Sequence, residues 1–76
     1  GSLIPIEVKL GHNNHLKSLH QYMEQSSIDL AVRIWANPMQ LDIVESLYKK
    51  KKFRLLNIPF YLLGFLPQIL KKLLGY

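Results

Sequence analysis

Glu7 and Lys9 stand two positions apart in the segment LIPIEVKL, residues 3–10, immediately before Gly11. Side chains alternate between the faces of an extended strand, so residues two apart project from the same one. A carboxylate beside an ammonium at the end of a strand suits phosphodiester chemistry: the carboxylate ligates Mg²⁺, and the ammonium stabilises the attacking hydroxide or the scissile phosphate. A hard divalent cation wants several oxygen ligands, however, and Glu7 offers one carboxylate. The metal site is incomplete, because no second carboxylate accompanies Glu7 in this segment. The chain alone is not expected to cut DNA. The structural alternative for Glu7 and Lys9 is an ion pair at a sheet edge, in-strand or cross-strand, which contributes at most ~1 kcal/mol when exposed.

Other chemistry-bearing residues are less coherent. His12, His15 and His20 invite a zinc reading, but the spacing of five between His15 and His20 puts them off a common helix face and no cysteine assists. They are expected in a turn and on a helix surface. Arg33 interrupts an apolar run, where a guanidinium without a partner is costly. It is expected to pair with a carboxylate or to emerge at the end of its strand, the alternative being a phosphate contact. Lys49, Lys50, Lys51, Lys52 and Arg54 fall within six positions and concentrate much of the formal charge of +5. Such a run between ordered elements is first a solvated loop; its functional reading is contact with nucleic acid. Trp35, Tyr48, Phe53, Phe60 and Tyr61 flank it, a mixture of rings and cations that single strands exploit, although aromatics at element boundaries are first of all core.

These groups must be positioned by a small number of elements. Ile4, Ile6 and Val8 alternate with Pro5, Glu7 and Lys9, predicting a first strand with Pro5 near its start or on its free side. Gly11-His12-Asn13-Asn14 is turn material with an N-cap at Asn13 or Asn14, and Leu16, Leu19 and Met23 then predict an amphipathic helix to about Gln25. Ile28 to Ala36 is nearly continuous apolar sequence rich in β-branched residues, the pattern of an interior strand. Strand, helix and strand assemble as a right-handed βαβ crossover with parallel strands. Pro38, Met39, Leu41, Ile43, Val44 and Leu47 outline an irregular helix ending near Tyr48. Phe53 to Asn57 predicts a short strand ended by Ile58-Pro59, and a turn leads into a helix from Pro67 with Ile69, Leu70, Leu73 and Leu74 inward.

The predicted class is thus α/β, a small mixed or parallel sheet with flanking helices. At 76 residues without cysteine the chain forms one domain at most. Gly1-Ser2 has the look of a tag remnant, leaving residues 3–76 as the domain, and a chain opening in a strand suggests a segment of something larger. Its longest uncharged apolar stretch, Asn57 to Gln68, is shorter than the ~20 residues of a spanning helix, and no apolar leader opens it, so a cytoplasmic module is the expectation.

Four segments in order, IPIEVKLG, HLKSLHQYM, LAVRIWANP and FRLLNIPFYLLGFLPQIL, resemble the carboxyl-terminal domain of a large prokaryotic family of AAA+-like P-loop ATPases, a domain usually labelled as of unknown function. The likeness runs through almost the whole chain after Ser2. It implies the second half of a restriction-endonuclease-like, PD-(D/E)XK nuclease fold, with Glu7 as second acidic ligand and Lys9 as the lysine. The first acid, in a Glu-x-Asp-Phe setting, would lie upstream of Leu3. Lys17 and Gln21 correspond loosely to helix residues that face the site in related nucleases. An ATP-binding part with its phosphate loop is implied upstream, since no Gly-x-x-x-x-Gly-Lys-Ser/Thr occurs here.

The resemblance implies an accessory module of a cytoplasmic ATPase that binds nucleic acid or a protein partner and needs no cofactor itself. Two alternatives stand beside it: a Mg²⁺-dependent nuclease domain in the longer protein, and a dimerisation module pairing through an open sheet edge. The tail from Phe60 to Tyr76 could also lie on an anionic membrane through Lys71 and Lys72, but its match to the family's ending predicts packing on the sheet.

Overall fold

The computed structural model describes residues 3–9 and 17–75, the side chain of Lys17 excepted. Its elements are β1 (Ile6–Val8), α1 (Lys17–Gln25), β2 (Leu30–Trp35), β3 (Gln40–Glu45), β4 (Lys52–Pro59), a 3₁₀ segment (Phe60–Phe65) and α2 (Leu66–Leu73). The strands form one mixed sheet in the order β1-β2-β4-β3. β1, β2 and β4 are parallel, and β3 runs antiparallel to β4. The domain is α/β, and its first two strands have the parallel pairing expected of a βαβ unit.

Burial explains the elements. β2 is central, and Leu30, Ala31 and Val32 are fully buried because both faces of the sheet are covered. On one face α1 lays Leu19 and Met23 over Ala31, Phe53 and Leu55, with Ile28 and Val44 at the margin. On the other, Leu66 joins Val32, Ile34, Leu56 and Ile58, flanked by Leu62, Leu63, Ile69, Leu70 and Leu73. Each large side chain so buried contributes roughly 1.5–3 kcal/mol, which is how a chain of this size closes a core without disulfides. The tail therefore packs on the sheet, with Pro67 in the first turn of α2, although Leu74 stays 41 % exposed.

Three expectations need correction. The irregular helix between Pro38 and Tyr48 is instead β3, because β4 requires a backbone partner on its far side and the β-branched Ile43 and Val44 suit a ladder. Apolar residues at mixed spacings of two, three and four fit either period, and the sheet decided. β4 continues through Ile58 and Pro59 rather than stopping at Asn57, since Pro59 takes the last position of the ladder, opposite Trp35. His20 is buried against Phe53, edge to face at 5.8 Å, because it adjoins Leu19 on the inward stripe. Its Nδ1 has no hydrogen-bond partner. His12 and His15 lie outside the described residues.

The lysine run forms the turn between β3 and β4. The Ser46 N–H donates to the Lys51 carbonyl at 2.8 Å, and the Lys51 N–H donates to Ser46 Oγ at 2.9 Å. Lys50 takes a left-handed conformation, φ 57°, which a side chain adopts at some cost.

Candidate functional site

Strand register assembles a polar row. Glu7 is aligned with Arg33, Arg33 with Asn57, and Asn57 with Gln40, so the row crosses every strand of the sheet. Residues aligned across a sheet share a face, and this one carries Ala31 and Leu55, two positions earlier, beneath α1. The row therefore lies on the α1 face at the carboxyl ends of the three parallel strands. In open α/β sheets that is where ligands bind.

Asn57 is the hub, with 0 % of its surface exposed. Arg33 Nε donates to its Oδ1 at 2.7 Å. Its Nδ2 donates to Asp42 Oδ2 at 2.8 Å and to the Gln40 carbonyl at 3.3 Å. Gln40 Nε2 also donates to Asp42, at 2.7 Å. A buried amide needs this degree of satisfaction, and satisfying it fixes the Arg33 guanidinium at one edge. The expected carboxylate partner for Arg33 is not what the structure provides: an amide oxygen takes its place, and the guanidinium lies 4.9 Å from the centre of the Trp35 ring. Trp35 is itself held by its indole N–H on the Pro38 carbonyl at 3.1 Å.

Lys9 completes the arrangement. Its N–H donates to the Ile34 carbonyl at 2.9 Å, and its ammonium lies 6.0 Å from the same Trp35 ring. Two cations thus gather about one indole, and among the described residues neither is bonded to a carboxylate. Glu7 is half-buried on the neighbouring position of the row, and no ion pair links it to Lys9 or Arg33. The edge ion pair considered for Glu7 and Lys9 does not form. Chemically, the rim offers a guanidinium with free Nη groups, a nearby ammonium and a flat apolar ring.

A magnesium site does not fit these residues. The other carboxylate on this face, Asp42, is three strands away from Glu7 in the order β1-β2-β4-β3, about 14 Å at the usual strand spacing. It is also occupied by Gln40 and Asn57. No group of three metal-ligating side chains occurs among the described residues.

The remaining sequence candidates are elsewhere. Lys52 begins β4, five positions before Asn57 and so about 17 Å along the strand, which puts the lysine turn at the opposite end of the sheet. Lys51 directs its ammonium inward, onto the carbonyls of Met23, Ser26 and Ile28 at 2.8, 2.5 and 2.8 Å. Arg54 pairs with Asp29 at 3.3 Å and donates to the Leu73 carbonyl at 2.9 Å. Lys49, Lys50 and Lys52 are exposed. Gln21 is exposed on α1, lining a shallow depression with Ser18, Tyr22, Glu24, Tyr48 and Lys49 over the turn. The side chain of Lys17 lies outside the described residues.

Glu24 anchors the turn to α1 by accepting from the Tyr48 and Lys49 N–H groups at 2.8 and 2.6 Å. The Lys49 N–H chiefly, with the Ser46 hydroxyl, the Tyr48 N–H and the Lys49 charge, holds its carboxyl below the ordinary value against some desolvation.

Sequence reasoning missed Asn57, Asp42 and Gln40, and grouped Trp35 with the lysine run, whereas it lies beside Arg33 and Lys9. A usable signal existed: Asn57 interrupts FRLLNIP just as Arg33 interrupts LAVRIW, one polar residue inside each apolar strand. Lone polar residues on neighbouring central strands must satisfy one another. No family model, curated protein or solved structure matches the chain.

Proposed function

We propose that this domain binds the phosphate backbone of a nucleic acid at the carboxyl rim of its sheet, through Arg33 and Lys9 with Trp35 as an apolar platform. The observation that carries this reading is the Arg33 guanidinium, oriented by Asn57 on one side and Trp35 on the other while its Nη groups have no protein acceptor among the described residues. A pre-oriented guanidinium suits a phosphate, and an indole accepts a base or ribose by stacking. The motif resemblance fits this reading, as the accessory module of a P-loop ATPase.

Fluorescence anisotropy with a labelled oligonucleotide, titrated at several salt concentrations, tests it. Arg33→Gln should weaken binding by about 10-fold and reduce the salt slope by roughly one, with a smaller loss for Lys9→Gln. Neutralising Lys49, Lys50 and Lys52 together should matter less than Arg33→Gln; the reverse order would move the interface to the turn. A second reading, a Mg²⁺-dependent nuclease in a longer protein, is supported by Glu7 and Lys9 sharing a face at the rim. It requires acids from outside this chain; absence of Mg²⁺-dependent cleavage by the longer protein would dismiss it, and cleavage that survives Glu7→Ala and Lys9→Ala would remove those two residues from the mechanism.

A further inference from the structure

β1 is an open edge: among the described residues, its one strand neighbour is β2. The Pro5 carbonyl accepts from the Val32 N–H at 3.0 Å, and the Lys9 N–H donates to the Ile34 carbonyl at 2.9 Å. Backbone groups alternate in direction along a strand, so the intervening Ile6 and Val8 turn theirs outward. The same two residues are 52 % and 48 % exposed, an uncovered continuation of the Val32–Ile34 core on the α2 face. Unpaired backbone beside exposed apolar side chains is a template for another strand.

The sheet's other edge is protected by its charges. β3 carries Asp42 and Glu45 and no basic residue, so a copy of β3 laid against it can form no pair of opposite charges. β1 and the residue after it carry one charge of each sign, Glu7 and Lys9. Only the β1 edge is self-complementary.

We propose that β1 is a homodimer interface, pairing antiparallel with β1 of a second copy about a twofold axis at Val8. The axis position follows from three observations. Val8 turns its N–H and carbonyl outward, so two copies exchange both bonds there. Glu7 of each copy then stands opposite Lys9 of the other, at non-hydrogen-bonded positions where side chains approach most closely. An axis at Glu7 would oppose two carboxylates, and one at Ile6 would set Glu7 against Pro5. The Val8 side chains meet on the other face, extending the apolar layer between copies. Such an interface is closed and isologous.

The axis is perpendicular to the sheet, so both α1 faces lie on the same side. The two Arg33 residues are then about 14 Å apart, three strand spacings, on one continuous surface. The dimer does not depend on the phosphate reading and is tested without nucleic acid.

Sedimentation velocity over a concentration series up to about 1 mM measures it, since an interface this small associates weakly. The wild-type chain should pass from monomer to dimer. Glu7→Lys and Lys9→Glu should each weaken association about 10-fold or more, because either places like charges opposite at both symmetric positions. An equimolar mixture of those two variants should recover dimer, as should the E7K/K9E double variant, because every facing pair is again of opposite sign. Val8→Pro should abolish association while circular dichroism stays unchanged, since the Val8 N–H is not part of the β1–β2 ladder. A monomer throughout, association indifferent to these substitutions, higher-order assembly through a β1–β3 contact, or a mixture that fails to recover would each overturn the proposal.

Discussion

The two ends of the sheet use their cations oppositely. At the β3–β4 turn the most conspicuous charges of the sequence are partly structural: Lys51 caps three carbonyls at the end of α1, and Arg54 ties Asp29 to the end of α2. At the carboxyl rim, Arg33 and Lys9 are separated in sequence and inconspicuous, yet they lie around one indole with no carboxylate on them. Charge density along a chain is therefore a poor guide to charge available for a ligand. What matters is whether a backbone acceptor lies within reach.

The largest expected effect tests the rim. Asn57→Ala removes a fully buried amide that joins Arg33, Asp42 and Gln40, leaving their groups unsatisfied beside a cavity; urea denaturation should show a loss of about 2–4 kcal/mol. A variant as stable as the wild type would mean that the row is not a network. At the turn, Lys51→Met should cost about 1.5–3 kcal/mol because it abandons charge-assisted bonds to three carbonyls, whereas Lys49→Met and Lys52→Met should lie within about 0.5 kcal/mol of zero. Equal effects from all three lysines would erase the contrast.

His20→Leu replaces a buried ring whose Nδ1 is unpartnered, in a site lined by Leu19, Met23 and Phe53, and should raise stability by about 1 kcal/mol. It serves as a control, since it alters no cation at either end of the sheet. The smallest effect belongs to Glu24, whose carboxyl is held below its ordinary value of 4.5. A depressed carboxylate contributes stability above its unfolded value and loses it as pH falls through the folded one. Acid titration of the melting temperature should thus show a drop below about pH 4.5 that is shallower in Glu24→Gln. Identical acid limbs would remove Glu24 from the account of the turn.

Much of the fold was legible because periodicity and composition determine it locally. The alternation in IPIEVK, the Leu19–Met23 stripe, the apolar run of β2 and Pro67 at the head of α2 each reflect one element's own burial. β3 was not legible, because its apolar spacing serves a helix as well as a strand and the backbone of β4 made the choice. His20 was misjudged for a related reason: the width of a helix's buried stripe is set by what lies under it. Of the candidate site, Glu7 and Lys9 could be read as a same-face pair, since strand geometry requires it. That Arg33, Trp35, Asn57 and Asp42 join them could not.

By itself the sequence determined which segments bury themselves, the parallel strand-helix-strand opening, and the common face of Glu7 and Lys9, all consequences of neighbours along the chain. Tertiary structure alone decided which cations are occupied and which are free. That outcome depends on register between strands distant in sequence, where the placement of Asn57 beside Arg33, or of the Lys51 ammonium beneath α1, is set by the packing of the whole sheet.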